Sequence, residues 1–340
     1  MKKTLAWMTV LVVLIVALFI INLLLGTVEI TPGDTLRILT GDDSHIINYN
    51  IIWKSRLPQT VTALMAGAGL AVSGLQMQTV FRNPLAGPSV LGISNGAALG
   101  VAFVVLLSGQ LGGVALSELG LVGDAAMSVA AIVGSLAVLG LIAWVSGKVQ
   151  SSVTLLIIGV MIGYLATAII GVLKFFSIDE DVRAYVVWGL GSFARVSAGQ
   201  VWLFSAVMAV LLPLSMLLVK QMNLLLLGDR YAQNLGINIR RTRLLVICSS
   251  GLLVAIVTAY CGPVMFIGLA VPHLCRALFR TSDHRILMPA TMFMGALLAL
   301  FCNLIARLPG YEGALPVNSV TALIGAPVVA SVLFKRRKQA

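Results

Sequence analysis

Charged residues are scarce in this sequence, and their scarcity excludes a water-soluble protein. Asp, Glu, Lys and Arg make up only 10% of the 340 residues, while hydrophobic residues make up 59%. In soluble domains about a quarter of the residues are charged, and a single water-soluble core cannot absorb so large an apolar excess. The composition therefore indicates an integral membrane protein.

Patterns that bind nucleotides or metals are also missing. Gly147-Lys148 is followed by Val149 rather than by Ser or Thr, so the sequence has no GxxxxGK[ST] loop. The four cysteines lack CxxC spacing. For His273, the one histidine in an apolar run, a structural role is favoured over haem ligation because no second ligand accompanies it. We expect no catalytic residue, no metal site and no bound cofactor in this chain, so any use of ATP and Mg²⁺ would require a partner subunit.

Ten apolar runs are each near the ~20 residues that a helix needs to cross a bilayer. Only helices suit such runs, since backbone groups in lipid must be satisfied internally. The first run is longer than the apolar core of a signal peptide, so we expect it to be retained. We predict an all-α polytopic membrane protein with about ten transmembrane helices in a single domain, residues 1–340. The predicted spans are Leu5–Leu25, Leu57–Val80, Val90–Leu107, Ala125–Val145, Val153–Leu173, Gln200–Val219, Leu244–Tyr260, Pro263–Phe279, Ile286–Ala306 and Pro316–Phe334.

The basic residues are distributed unevenly about these spans. With ten spans and the N-terminus inside, 16 of the 23 Lys and Arg residues fall on the cytoplasmic side and 7 outside, while only two of the 12 acids fall inside. This is the positive-inside pattern, and it places both termini in the cytoplasm. It also accounts for the net charge of +11 without a nucleic-acid partner.

Two features of the spans bear on their role. Gly92, Gly96 and Gly100 form a GxxxGxxxG ridge, and Gly159 and Gly163 form GxxxG. Such ridges favour close helix packing, with a pore wall as the alternative. The middle of every predicted span is free of charged residues, whereas ion-coupled transporters commonly carry carboxylates there. This disfavours a secondary transporter but leaves it open, because backbone carbonyls can also bind ions.

Two loops are distinctive. The cytoplasmic loop at residues 220–243 is strongly basic, and glycines at 228 and 236 predict two short helices within it. The outer segment at residues 183–195 reads RAYVVWGLGSFAR and predicts a short helix at the membrane surface. Tyr185 and Trp188 suit an interfacial anchor, and the alternative is a lid over a translocation path.

The chain also carries a series of longer motifs in a fixed order. Its sequence closely resembles the FecCD/BtuC-type permeases, the membrane subunits of ABC importers for iron–siderophore complexes, haem and cobalamin. The matching residues are Arg56-Leu57-Pro58, Ser73-Gly74, Gln78, Arg82-Asn83-Pro84-Leu85-Ala86, Pro88, Leu91-Gly92, Ser94-Asn95-Gly96, Gly228-Asp229, Ala232, Leu235-Gly236, Gly262-Pro263, Phe266, Gly268-Leu269, Pro272-His273, Arg276, Leu315-Pro316-Val317 and the run from Thr321 to Pro327.

The resemblance implies a type II ABC importer permease fold of the BtuC-like kind. It further implies a homodimer of this chain in the inner (cytoplasmic) membrane, two cytoplasmic ABC ATPase subunits below it and a periplasmic binding protein that delivers the ligand. The lipid bilayer would surround the dimer. In this arrangement the 220–243 loop matches the coupling helices that dock on the ATPase.

Residue roles follow from the same resemblance. Coupling to the ATPase is assigned to Gly228, Asp229, Ala232, Leu235 and Gly236. Docking of the binding protein is assigned to Arg56 and Arg307, with Lys54 as a nearby substitute for a second arginine. The alternative is that both arginines extend along apolar surface toward the interface. The translocation path and outer gate are assigned to Tyr185, Trp188, Gly189 and Ser192.

The expected function is ATP-driven import of an iron complex, either a ferric siderophore or haem. Cobalamin is the alternative ligand, although the cobalamin member has an arginine where this chain has Gln59. An ion-coupled secondary transporter, a membrane-embedded enzyme and a passive structural subunit are the rival hypotheses.

Overall fold

The computed structural model describes residues 2–42, 44–108, 121–149, 151–307 and 315–337, and within these ranges the chain is helical with no β-strand. The α-helices are α1 (Lys2–Leu24), α2 (Pro32–Leu39), α3 (Ile46–Asn50), α4 (Leu57–Val80), α5 (Ile93–Ser108), α6 (Leu121–Lys148), α7 (Ser152–Phe176), α8 (Asp179–Gly189), α9 (Ala198–Met216), α10 (Val219–Leu226), α11 (Asp229–Asn234), α12 (Ile239–Cys261), α13 (Ile267–Phe279), α14 (His284–Ala306) and α15 (Val317–Arg337). A π-helical stretch, Ile51–Arg56, joins α3 to α4, and 3₁₀ turns lie at Pro88–Leu91 and Phe193–Arg195.

The ten predicted spans each coincide with one apolar helix. In the described part of the chain seven helices are long and apolar enough to cross a membrane, and three shorter apolar ones lie at Ile93–Leu107, Ile267–Phe279 and Val317–Ser331. The all-α polytopic prediction is confirmed. The start of α13 differs from the prediction by four residues, because Gly262 and Phe266 take left-handed backbone conformations (φ 74° and 67°) that interrupt a helix there.

Polar residues fix where several helices begin. The side chains of Ser151, Asn238 and Asp283 precede α7, α12 and α14, and each accepts a hydrogen bond from a backbone N–H in the first turn. Such N-caps satisfy donors that the helix itself leaves unpaired. The first residues of α7, α12 and α14 are therefore determined by these capping side chains as well as by the apolar runs.

The residues group into two compact units. Unit 1 comprises Met1–Val72, Ser192–Leu212 and Val264–Ala340, and unit 2 comprises Ser73–Gly191 and Pro213–Pro263. In unit 1, α14 packs against α1, α13 and α15. In unit 2, α5 packs against α6, α7, α8 and α12, so α5 lies at the centre of that unit.

Glycines permit a very close crossing of α5 and α6 in unit 2. A Cβ added to Gly96 would lie 2.6 Å from the carbonyl oxygen of Gly134, and one added to Gly134 would overlap the carbonyl of Gly96. A Cβ on Gly100 would likewise overlap the carbonyl of Ala130. Backbones in contact gain dispersion energy and weak hydrogen bonds that larger side chains would prevent.

The same ridge contacts α7 through its first member. A Cβ on Gly92 would lie 2.9 Å from the carbonyl oxygen of Gly159. The side-chain amide of Asn95 also donates to the carbonyl of Gly163 at 3.1 Å. Both small-residue patterns of the sequence therefore serve helix packing, as predicted.

We expect Gly134→Val to destabilise the protein by about 1–3 kcal/mol, the usual cost of forcing extra atoms into a packed site. Gly140→Val is the matched control, because Gly140 lies on the same helix and has no heavy atom within 4 Å of an added Cβ. Thermal unfolding of the purified protein in detergent measures both. Equal melting temperatures for the two variants would contradict the packing described here.

Candidate functional site

The loop at residues 220–243 folds into two short helices, as its glycines predict. Helix α10 ends before Gly228, whose φ of 102° lies in the region that favours glycine, and α11 follows it. Gly236, with a φ of 83°, then separates α11 from α12. Residues that carry a side chain are strained in this backbone conformation. Both glycines are therefore needed for the turns that separate the two short helices from each other and from α12.

Asp229 holds this loop against its surroundings in unit 2. Its carboxylate lies 2.5 Å from Nη2 of Arg82 and 3.5 Å from Nη2 of Arg243. Arg82 also donates to the carbonyl of Leu225 at 3.2 Å. The Arg82 and Asp229 side chains are each nearly half exposed, so their pairing adds on the order of 0–1 kcal/mol of stability and serves mainly to orient α11.

The assigned coupling residues divide into anchors and exposed groups. Ala232 is fully buried and seats α11, whereas Leu235 is 53% exposed. Three further large apolar side chains of the same loop are exposed: Leu226, Leu227 and Tyr231. We call these four residues the apolar patch. Exposed apolar clusters rimmed by polar residues mark interaction sites.

Sequence reasoning missed three of the four patch residues and the partner of Asp229. An exposed leucine in a loop of a membrane protein has no distinctive sequence pattern, because its exposure depends on which helix face packs inward. The Arg82 pairing joins residues 147 positions apart, and no local spacing reports such a contact.

Arg56 lies inside unit 1 and not on its surface. The side chain is 1% exposed, and its guanidinium donates to the carbonyls of Leu23 and Leu24 at 2.9 and 2.8 Å and to that of Val28. The last carbonyls of a helix lack internal partners, and a cation there also interacts favourably with the helix dipole. Arg56 thus caps α1, and the hypothesis that it extends outward to the interface is wrong.

A buried polar network lies beside this cap. The amide of Gln59 donates to Oδ1 of Asn303 at 2.9 Å, and the amide of Asn303 donates to Oδ1 of Asn22 at 2.8 Å. Asn22 in turn donates to the carbonyl of Leu300 at 3.1 Å. The network connects α1, α4 and α14 by side-chain hydrogen bonds of the kind that hold membrane helices together.

Arg307 and Lys54 are more accessible than Arg56. Arg307 is partly buried at the end of α14, and Lys54 is exposed. A Cβ on Gly26 would lie 2.9 Å from Nη2 of both Arg307 and Arg56, so the two guanidiniums flank this glycine. Burial and the Arg56 charge lower the pKa of Arg307 to about 10, which leaves it charged at neutral pH. The result is a concentrated positive charge that favours a carboxylate partner.

The outer segment forms α8, which begins earlier than predicted, at Asp179. Asp179, Glu180 and Asp181 occupy its first turn, where the helix dipole favours negative charge. Tyr185 and Trp188 are only 8% and 1% exposed, and this burial does not fit an interfacial anchor.

The surroundings of Tyr185 keep its hydroxyl neutral. The Lys174 ammonium lies 4.5 Å from the centre of the Tyr185 ring, a cation–π contact. Burial raises the pKa of Tyr185 to about 12. The ring therefore packs as an uncharged group across the physiological pH range.

Two glycines fasten the end of α8 to a turn of unit 2. A Cβ on Gly262 would lie 2.6 Å from the carbonyl oxygen of Trp188, and one on Gly191 would lie 2.8 Å from that of Pro263. Gly189 has no heavy atom near its added Cβ. The exposed side chains here are Val186, Val187 and Leu190, which the sequence analysis did not select.

Ser192 is the remaining residue assigned to the gate, and it belongs to unit 1. Its hydroxyl accepts a hydrogen bond from the N–H of Ala194 at 3.2 Å and caps the 3₁₀ turn Phe193–Arg195. A gate role for Ser192 stays a prediction.

Comparison with known proteins agrees with this architecture. The chain matches the FecCD transport family over residues 14–335. It is 36% identical to the vitamin B12 import system permease protein BtuC of Citrobacter koseri and 35% identical to that of Klebsiella pneumoniae subsp. pneumoniae, over 99% of this chain and 96% of each relative.

A solved structure described as an inward-facing conformation of a metal-chelate type ABC transporter superposes with a TM-score of 0.83 at 29% identity, covering 97% of this chain and 99% of the other. The ten apolar helices, the α10–α11 loop and the match over nearly the whole length lead to one assignment: this multi-pass membrane protein belongs to the FecCD transport family and is an ABC transporter permease.

Proposed function

We propose that this permease imports an iron complex, a ferric siderophore or haem, across the inner membrane. It would act as a homodimer with both termini in the cytoplasm, on two ABC ATPase subunits. A periplasmic binding protein would deliver the ligand. The observation that carries the proposal is the family match over residues 14–335, and the apolar patch supports it from the structure.

The apolar patch is the proposed contact for the ATPase. Its four side chains stand out from two short helices that are held in place by buried Ala232 and by the Asp229 ion pairs. A rigid, exposed apolar surface is suited to carry force between subunits, because it binds without first paying for its own ordering. Movement of this surface would tilt the spans attached to it, α9 and α12.

The proposed docking site for the binding protein centres on Arg307 and Lys54. Arg56 contributes charge from inside while its hydrogen bonds serve the α1 cap. Carboxylates on the binding protein would pair with this charge, and such complementarity chiefly raises the association rate and the specificity of docking.

Tyr185, Trp188 and Gly189 are proposed to support the outer gate. Because both rings are buried, they would set the position of α8 and leave Val186, Val187 and Leu190 to face the passing ligand. Large ligands with apolar edges suit such a lining.

Cobalamin is the second candidate ligand, and the names of the relatives at 35–36% identity favour it. Gln59 is no argument against it. This side chain is buried and hydrogen-bonded to Asn303, so its difference from an arginine concerns helix packing in this chain.

The ligand can be identified by reconstituting the permease with its ATPase in proteoliposomes and adding the binding protein with one labelled ligand at a time. We expect ATP-dependent accumulation of a ferric siderophore or of haem, and little of cobalamin. Uptake of cobalamin alone would assign the second candidate. If neither the ferric siderophore, nor haem, nor cobalamin accumulates under conditions where the ATPase is active, the proposed ligand class would be overturned.

A further inference from the structure

A cavity of about 440 Å³ lies where α6 ends, beside α11 and the start of α12 in unit 2. Its wall includes Ser146, Val149, Arg230, Ile239, Arg240 and Arg243. Three arginines therefore line it, while one acid, Asp229, is present on the wall. The cavity is distinct from the apolar patch, whose side chains point to the surface.

The cavity is short of negative charge. Asp229 already interacts with Arg82 and Arg243, whereas Arg230 and Arg240 are exposed to solvent. The 23-residue helix α12 also begins here, and its N-terminus adds a partial positive charge. An anion bound in the cavity would be stabilised by all of these groups together.

Ser146 gives an independent sign of a missing ligand. The residue is 2% exposed, and its hydroxyl has no hydrogen-bond partner among the described residues. Buried polar groups without a partner are uncommon and call for an explanation. A ligand oxygen would accept a hydrogen bond from this hydroxyl.

The last turn of α6 indicates the depth of the cavity. Trp144 is 61% exposed, and the Lys148 ammonium lies 3.8 Å from the centre of its ring. Exposed tryptophan and lysine at the end of a span mark the membrane–water interface. Ser146 and Val149 lie on this same stretch, so the cavity is at headgroup depth, with an apolar wall from Val149 and Ile239.

We propose that this cavity binds the phosphate headgroup of an anionic phospholipid. Arg230 and Arg240 would pair with the phosphate, Ser146 would donate to one of its oxygens, and Val149 and Ile239 would contact the glycerol and the first acyl carbons. Basic pockets between membrane helices are suited to such headgroups. A bound lipid would join α6 to the loop that carries the apolar patch.

The test compares lipid binding by the full-length permease in the absence of any ATPase. Protein taken from nanodiscs of phosphatidylcholine, with or without phosphatidylglycerol, is examined by native mass spectrometry. We expect wild-type protein to retain phosphatidylglycerol preferentially. The double variant Arg230→Gln/Arg240→Gln should weaken that retention about 25-fold, since each basic group near the surface contributes about fivefold.

The matched control is Lys220→Gln/Arg241→Gln, which removes the same charge from exposed positions outside the cavity. It should keep the preference. Equal loss in both double variants, or no preference in the wild type, would overturn the proposal. Displacement of the lipid by excess inorganic phosphate would also overturn the proposal, because it would assign the cavity to a soluble anion.

The single variant Arg230→Gln replaces the double variant in this comparison if the double variant fails to fold. ATPase is absent throughout, so the result is independent of the proposed transport function.

Discussion

Arg56→Ala should destabilise the isolated permease by roughly 4–5 kcal/mol, which is the lower end of the range for three hydrogen bonds to a charged group at about 1.5–3 kcal/mol each. Removing the guanidinium leaves the carbonyls of Leu23, Leu24 and Val28 without this donor. A loss of that size would exhaust much of the stability of a typical domain. Thermal unfolding in detergent, without any binding protein, measures it.

Two further variants separate the α1 cap from a docking role. Lys54→Ala removes an exposed charge three positions from Leu57, the first residue of α4, and should change stability by less than about 0.5 kcal/mol. Arg56→Lys should fall between wild type and Arg56→Ala, since an ammonium lacks the planar fork that reaches several carbonyls. Unchanged stability of Arg56→Ala with weakened binding of the binding protein would contradict the cap and make Arg56 a docking residue.

Leu235→Asp should weaken binding of the ATPase by about 30-fold or more, the loss expected when a central apolar contact is removed. The fold should be unaffected, because Leu235 is 53% exposed. Titration of the ATPase onto nanodisc-embedded permease gives the affinity, and the melting temperature of the permease alone reports the fold.

Asn234→Asp is the control for this experiment. Asn234 is the neighbouring exposed residue, and the change adds the same charge without removing an apolar side chain. It should weaken ATPase binding by less than about fivefold, within the range of a rim charge. An equal effect in both variants would mean that charge repulsion, and not the apolar patch, governs the contact.

The spans and loops of this protein could be predicted because they depend on local composition. A run such as Val153–Leu173 identifies α7 directly, and Gly228 and Gly236 mark the breaks in the loop at residues 220–243 through their backbone preferences. Close packing of α5 also followed from the spacing of its glycines. Each of these features is encoded within about one helix of sequence.

The contacts of the site residues could not be predicted in the same way. Whether Arg56 reaches a surface or the end of α1 depends on which helices are neighbours, and α1 ends 32 residues earlier in the chain. The same is true of Trp188, which an aromatic-belt pattern would place at the interface but which is buried in unit 2.

Nucleotide dependence of uptake tests the central claim most directly. The experiment uses sealed proteoliposomes that contain the permease and its ATPase, with the binding protein and labelled ligand outside. ATP should be necessary for accumulation of the ligand, and replacing ATP with a non-hydrolysable analogue should abolish that accumulation. Accumulation by the permease alone, with no ATP-hydrolysing subunit present, would contradict the conclusion that this chain transports only when a partner supplies the energy.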